Sequence, residues 1–449
     1  VFDRLTSYDL NLKPQPMLAE SWDISPDFKT FKLNLRKGVT FHSGRALTSD
    51  DVKYTILRLR QPTVGSGILA GFSNWFTGID TPDANTVVLT TDTPHPTFFD
   101  AIELINIVDK QNVEGPDAKS KIVGTGAWVF QEWAPGDHFT VAKNKNYWRS
   151  GVPYLDSVIT YVRNQQNMSV QLEGGQLDMV RTPAVEDFVR LKADKNYQAI
   201  IHPAAGTFFE IGLNTVKPPF DNKLVRQAFN YAIDRKRFSD TVMKGISASI
   251  DLPWDKSNPA YDAAKNGTYT FDLNKAKSLL QQAGVSNLET GILVNGIGAP
   301  QTLQFAQIYQ DSLSQIGVKL NIQNVEPAVW VDDLINKKPD YSGLWCGSDQ
   351  IAQLQPSTLF QLSPGWRLDN NHSAFKSPQW TSLVTASLSE SDPAKQKTLL
   401  SQLNDYILDQ SFTIAYNTYP TTFLAKGNVQ GLTYQLHNGG LSFTDTWLA

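Results

Sequence analysis

"PMLAESWDISPDFKTFKLNLRKGVTFHSGRALTSDDVKYTI", residues 16–56, is the stretch on which the reading of the fold turns. Phe31, Leu33 and Leu35 alternate with Lys32, Asn34 and Arg36, the period-two pattern of a strand with one buried face. Just ahead, Pro26 fixes its own φ for a turn and Asp27 supports it. "RKG" turns the chain at 36–38, and "VTF" alternates again up to His42 and Ser43. Thr48 is a good N-cap, and Asp50 and Asp51 fall in the first turn of a helix running through "YTILRLR".

Outward from this stretch the same two periods recur. Residues 62–82 are rich in Gly, Ser and aromatics and are predicted as a loop region; "NTVVLTTD" follows as a strand. "VGTGAWVFQEWAPGDHFTVAKN" reads as an antiparallel hairpin turning at "PGD", and "DSVITYVRN" as a further strand. "VQLEGGQLDMV" predicts a short helix, a stop at Gly174–Gly175 and a strand. After "IIHPAAGTFFEIGLNT" the period changes. Leu224, Val225, Ala228, Phe229, Ala232 and Ile233 share one helical face. Further helices are expected at 272–283 behind an Asp272 cap, over "LQFAQIYQDSLSQIG", from Pro327, and from Pro393 behind Asp392. "VKLNIQ", "YSGLWCG", "FTIAYN" and "TFLAK" read as strands. Helices alternating with strands across short links predict an α/β lobe.

Composition narrows the function. At 449 residues the chain has room for two or three domains, and 41% hydrophobic with 19% charged residues is ordinary for a globular protein. A net charge of −4 gives no electrostatic ground for nucleic acid. No apolar run reaches the roughly 18 residues of a membrane-spanning helix. "VFDRLTSYDL" is not a signal segment, so any export signal has been removed or lies upstream. Cys346 is the only cysteine, which forbids an internal disulfide and any site with two thiolates. The 11 Trp, 15 Tyr and 23 Phe are a heavy aromatic load; most are expected in the core, and the remainder could line a ligand cleft.

The search for chemistry returns little. The six histidines, His42, His95, His138, His202, His372 and His437, include no pair within five residues, so no local metal motif exists. No phosphate-binding loop is present, and "GTGAW" lacks the third glycine of a dinucleotide fingerprint. There is no G-x-S-x-G elbow, and Ser43 is too close to His42 in sequence to make a nucleophile–base pair. Cys346, after Trp345 in an apolar strand, reads as a buried inert thiol. Asp50–Asp51 and Asp332–Asp333 are explained by helix ends and solvation. Two distant acids of a glycoside hydrolase remain an open alternative. "FHSG" therefore reads as a strand end, and replacing His42 is expected to leave ligand affinity intact.

The quoted stretch resembles the extracellular solute-binding proteins of the oligopeptide, dipeptide and nickel group, family 5. The family pattern P-x-L-A-x-S-W, S-x-D, F-x-L-R-x-G-V-x-F-H-x-G, L-T-A-x-D-V is matched in order. "VGTGAWVF" is similar to the family's G-T-G-P-Y segment, with Ala127–Trp128 for Pro–Tyr. "NKNYWRSGVPYLDSVI", "GGQLDMV", "GLNTVKPPFDNKLVRQAFNYAIDRKRF" and "AKSLLQQAG" extend the resemblance over essentially the whole chain. The resemblance implies an α/β two-lobe periplasmic-binding-protein fold of class II type, with an extra subdomain in lobe I. Mapped here, lobe I is residues 1–206 with the subdomain near 42–140, lobe II is 207–419, and 420–449 return to lobe I. The crossings are expected near Ala205–Thr207 and Asn417–Pro420, with Gly206, Thr207, Asn417 and Thr418 as hinge residues. The family's further stretch ahead of "VFDRL" is expected upstream of this chain.

The implied function is that of a monomeric, non-enzymatic binding component, without cofactor or metal. It would capture a solute, first an oligopeptide, and deliver it to the membrane permease of an ABC importer, with no nucleic-acid partner. The implied location is periplasmic or extracellular, with a lipid anchor as an option. In peptide-binding members a Trp-bearing strand and its following loop supply an acid for the ligand's amino group. Trp345 and Asp349 match them, whereas Gln355–Pro356 stands where a second acid is common. Asp349 could equally support its own loop. Dipeptide binders also hold the carboxylate with an arginine, and "GIGAP" offers none here. An oligosaccharide or other polar solute is the alternative, stacked on tryptophans among Trp75, Trp254, Trp330, Trp345 and Trp366. The expected ligand residues are Trp345, Cys346, Gly347, Asp349, Trp254 and Phe208. Replacing Trp345 by Ala is expected to weaken affinity with little loss of folding.

Overall fold

A computed structural model describes the chain except residues 65–66, 119, 164, 205, 337–342, 350–354 and 437–438. It divides into two compact units: unit 1 is Val1–Ile200 with Thr422–Ala449, and unit 2 is Ile201–Thr421.

Unit 1 is built on antiparallel sheets. Strands Ala19–Ile24, Thr30–Leu35, Thr86–Thr91 and Phe76–Asp83 lie side by side in that order. The alternation read from the sequence is realised: Phe31, Leu33 and Leu35 are buried, and the ring of Phe31 stacks on Phe98 at 4.0 Å. Helix Ser49–Arg58 follows, and the Thr48 N–H donates to the Asp51 carboxylate at 3.0 Å. Arg45 ties that carboxylate to Asp109. The 62–82 segment is not all loop: it holds helix Gly67–Ser73 and strand Phe76–Asp83. That strand pairs with register shifts on both sides of Gly78–Asp80, which breaks the alternation that would have announced it. Strands Trp128–Ala134, His138–Lys143 and Ser157–Tyr161 form the expected hairpin and its neighbour.

His42 sits at a tight reversal and joins it to the 124–126 segment. Its Nδ1 accepts from the Gly124 N–H at 3.3 Å, and its Nε2 lies 3.0 Å from the Gly126 carbonyl. Both ring nitrogens serve the fold, as expected of punctuation. His437 lies outside the described residues.

Unit 2 carries a five-stranded mixed sheet. Its strands are β1 (Phe208–Leu213), β2 (Leu288–Val294), β3 (Val318–Asn324), β4 (Gly343–Asp349) and β5 (Thr413–Thr418). Their spatial order is β3-β2-β4-β1-β5; β2 runs parallel to β3 and β4, and β1 runs antiparallel to β4 and β5. β1 is buried on both faces. Such a central strand loses its alternation, which is why "FFEIGL" reads as an apolar run.

The helical face read from Leu224 to Ile233 begins in helix Lys223–Tyr231, and a second helix, Arg235–Thr241, follows. Asp234 starts the second by accepting from the Arg237 N–H at 2.9 Å, and this cap outweighs the continuous apolar face. Helices Leu273–Gln282 and Pro393–Gln410 begin at their expected caps, whereas Pro300–Ser314 begins ahead of the expected Leu303, at a proline; Gly284 and Gly317 stand at positive φ where only glycine is unstrained.

Candidate functional site

The expected ligand residues fall largely on one face of the β1–β4 pair. Phe208 is opposite Asp349, Glu210 opposite Gly347, and Gly212 opposite Trp345. Directly opposed residues of antiparallel strands share a face, so these six side chains, or their absence, form one surface. Large and small residues alternate across it. The Trp345 indole lies over Gly212, where a Cβ would meet Nε1 at 2.1 Å. Trp330 covers Gly347, where a Cβ would meet Cζ2 at 3.0 Å. The two indoles meet edge to face at 6.5 Å, and His372 packs against Trp345 at 5.2 Å.

Glu210 is the residue the sequence reading missed. It is buried, its carboxylate accepts from Trp366 Nε1 at 2.6 Å, and it faces Gly365, where a Cβ would meet Oε2 at 2.9 Å. Burial, and next the Asp349 charge, push its carboxyl well above the usual range; the Trp366 bond pulls the other way. The signal was available: a lone acid inside "FFEIGL" is a charge in a strand with no polar face. Asp349 is likewise buried, at 5% exposure.

Three of the expected residues are built into the packing. Cys346 does not share this face, because the pleat turns it to the opposite side, where its sulfur lies 3.6 Å from the Tyr416 hydroxyl. Burial pushes its thiol up to about 12, as suits a buried, unreactive thiol. Trp254 is a core residue: it is 1% exposed, its Nε1 donates to Asn404 Oδ1 at 2.7 Å, and Phe360 packs on it edge to face. Trp345 is 1% exposed and packs with Leu293 and Leu334, so truncating it would damage folding as well. Of the remaining tryptophans, Trp75 stacks on His95 at 4.2 Å and Trp366 is fully buried. Gln350 and the four residues after it lie outside the described residues.

The four residues singled out as hinges occupy two strand-like segments tied to each other within unit 2. Gly206 has φ +59°, and Thr207 donates to the Tyr419 carbonyl, whose own N–H returns a bond to Thr207 O at 2.9 Å. Asn417 is fully buried and donates to Arg235 O at 3.3 Å; the Thr418 N–H donates to Ala248 O at 2.8 Å. Ala205 lies outside the described residues.

Unit 2 also has a cavity of about 540 Å³ bordered by Thr215, Arg226, Asn371 and Tyr406. Arg226 there is spent on the fold, donating to the carbonyls of Phe220, Asp221 and Gln410. No group of three or more metal-ligating side chains occurs among the described residues. Nor, among those residues, is any helix long and apolar enough to cross a membrane.

Known proteins give this geometry a context. The chain is 29% identical over 367 residues to heme-binding protein A of Haemophilus influenzae, covering 74% of this chain and 65% of that protein. It is 26% identical over 458 residues to the glutathione-binding protein GsiB of Salmonella typhimurium, covering 99% of this chain and 88% of that one. It superposes on the periplasmic binding protein AgaA of A. tumefaciens R10, solved with agropinic acid. There the TM-score is 0.85 at 26% identity, covering 100% of this chain and 93% of that one. The α/β fold is therefore that of a periplasmic binding protein. The model of the bacterial extracellular solute-binding proteins, family 5, matches residues 13–365, and the chain belongs to that family.

Proposed function

We propose that this chain is the solute-capturing component of an ABC importer, that it turns nothing over, and that its solute is a short peptide or peptide-like molecule. The observation that carries the peptide reading is the buried carboxyl face of β1 and β4, Glu210 beside Asp349, in a chain aligned end to end with a glutathione binder. A carboxylate in a water-poor site makes a strong, charge-assisted bond to a free amino group. Glutathione is itself a small peptide with such a group. The AgaA complex favours a second reading, a small polar acid of another kind.

The lobes read from the sequence, 1–206 with 420–449 and 207–419, belong to this proposal, with Gly206, Thr207, Asn417 and Thr418 as hinges. Capture would be a population shift toward a closed form that the solute stabilises. The partner would be a membrane permease, met by a monomer outside the cytoplasm. The test is mass spectrometry of material that co-purifies with the protein, followed by thermal-shift titration with trialanine, glutathione and maltotriose. A binder gains stability as RT ln(1 + [L]/Kd), about 2.7 kcal/mol at a hundredfold excess over Kd, and returns the solute intact. A converted solute would refute the reading.

A further inference from the structure

In an Asn–Gly dipeptide the side-chain amide is open to attack by the next backbone nitrogen, because glycine has no Cβ to shield that nitrogen. The chain has three such pairs, at 266–267, 295–296 and 438–439. Asn438 lies outside the described residues, and the other two pairs are held in opposite ways. In the turn at 263–267, Asn266 Oδ1 accepts two backbone N–H bonds, from Asp251 at 2.7 Å and Leu252 at 3.1 Å. Only an amide oxygen can face two donors, so the orientation of this amide is settled. Its Nδ2 and the Gly267 N–H have no hydrogen-bond partner among the described residues. Gly267 is exposed, and nothing lies within 4 Å of where its Cβ would stand. At the second pair the attacking nitrogen is occupied: the Gly296 N–H donates to Asn324 Oδ1 at 2.8 Å. A Cβ on Gly296 would meet Leu303 Cβ at 2.7 Å, so this turn is packed where the first is open. Asn295 Oδ1 accepts one bond, from the Gly298 N–H at 2.8 Å.

We propose that Asn266 is a site of spontaneous deamidation, an age-dependent modification of unit 2 that turns a neutral amide into aspartate or isoaspartate. The Gly267 nitrogen gives its proton to solvent and bonds to Asn266 Cγ. Negative charge gathers on Oδ1, where the two N–H groups already stand at oxyanion-hole distance, 2.7 and 3.1 Å. The Cγ–Nδ2 bond then breaks, and Nδ2 takes a proton from water and leaves as ammonia. One water opens the resulting succinimide at either carbonyl. The sum is asparagine plus water giving aspartate or isoaspartate plus ammonia. Aspartate keeps an acceptor for both N–H groups. Isoaspartate adds a main-chain carbon inside a turn closed by the Asn266 N–H to Asp262 O at 3.1 Å and the Thr268 N–H to Lys265 O at 3.3 Å. It thereby loosens the support of Asp251, whose carboxylate pairs with buried Arg235 at 3.0 Å and accepts the Tyr269 N–H at 3.0 Å. The modification is independent of what the chain binds.

The test incubates the full chain at mildly alkaline pH, folded and in concentrated urea. Peptide mapping by mass spectrometry follows the mass gain at each asparagine, and an isoaspartyl methyltransferase assay counts the isomer. Unfolded, Asn266 and Asn295 share the same dipeptide and should convert at similar rates. Folded, Asn266 should at least keep its unfolded rate, whereas Asn295 should fall about tenfold below its own, because its attacking N–H must first leave Asn324. Asn324→Ala frees that N–H; it should speed Asn295 in the folded chain and leave Asn266 unchanged. The isoaspartate fraction, separated by ion exchange, should unfold at a lower urea midpoint than the fresh chain. A folded-to-unfolded rate ratio at Asn266 no higher than that at Asn295 overturns the inference, as does a folded chain that gains no mass at Asn266. Equal urea midpoints for the fresh and isoaspartate chains overturn the loosening around Asp251.

Discussion

Gly212→Ala tests the packing of the candidate face through a single carbon atom. Gly212 is in mid-strand, and the Trp345 indole occupies the space a side chain would need. A Cβ would stand 2.1 Å from Nε1, 2.3 Å from Cε2 and 2.5 Å from Ser373 Oγ, whereas ordinary contact begins at 3.4 Å. The indole edge must retreat by about 1.3 Å, the difference between the first and last of those distances. It has little freedom to do so, because Trp345 is 1% exposed with Trp330 and His372 packed on it edge to face. Overpacking of this kind costs about 1–3 kcal/mol. Removing glycine's excess freedom from the unfolded chain returns about 0.4–1 kcal/mol. The net expectation is a loss of about 1–2 kcal/mol, with a changed tryptophan emission. Gly267→Ala, where nothing lies within 4 Å, is the control and should be neutral or slightly stabilising. The assay is urea unfolding followed by fluorescence and circular dichroism. In a Trp345→Leu background the Gly212→Ala cost should shrink by about 1 kcal/mol, the signature of direct contact. A Gly212→Ala midpoint equal to that of Gly267→Ala would refute the packing described here.

Other outcomes can be checked alongside it. Glu210 binds its proton more tightly folded than unfolded, so wild-type stability should fall as pH rises from the usual Glu range through the folded value. The limiting slope for one proton is about 1.4 kcal/mol per pH unit. E210Q should flatten that slope in urea titrations at several pH values. Glu103, buried in unit 1 and pushed up to about 7 by burial, adds a loss of the same sign between the usual Glu range and pH 7, which E103Q should remove. Asn404→Ala strands the Trp254 N–H and the Ala260 carbonyl and should cost about 2–4 kcal/mol by urea midpoint. Cys346 should resist a thiol reagent such as Ellman's until the protein is unfolded. His42→Ala should lower stability by about 1 kcal/mol and leave probe affinity unchanged in calorimetry.

The parts of the fold legible in the sequence are those governed by local chemistry. The half-buried strand at 31–35, the caps at Asp272 and Asp392 and the glycine stops at 284 and 317 are each encoded within about four residues. The strand at Phe76–Asp83 escaped because its register shifts destroy the alternation by which a half-buried strand is recognised. The candidate site was legible as a strand and illegible as a surface. That Trp345 and Asp349 belong together follows from period two, and so does the exclusion of Cys346, since neighbours in a strand point to opposite faces. What no local pattern supplies is the partner strand. The meaning of Glu210, Gly212 and Gly347 is set by register across more than 130 residues of chain, where a glycine stands opposite a tryptophan and an acid stands opposite a glycine. For the same reason the aromatic count misled. Whether a tryptophan in a loop, such as Trp254, offers its face to a ligand or fills the core depends on a distant acceptor, here Asn404. A buried acid in an apolar strand is the exception that can be read locally, because no arrangement of neighbours makes its charge cheap.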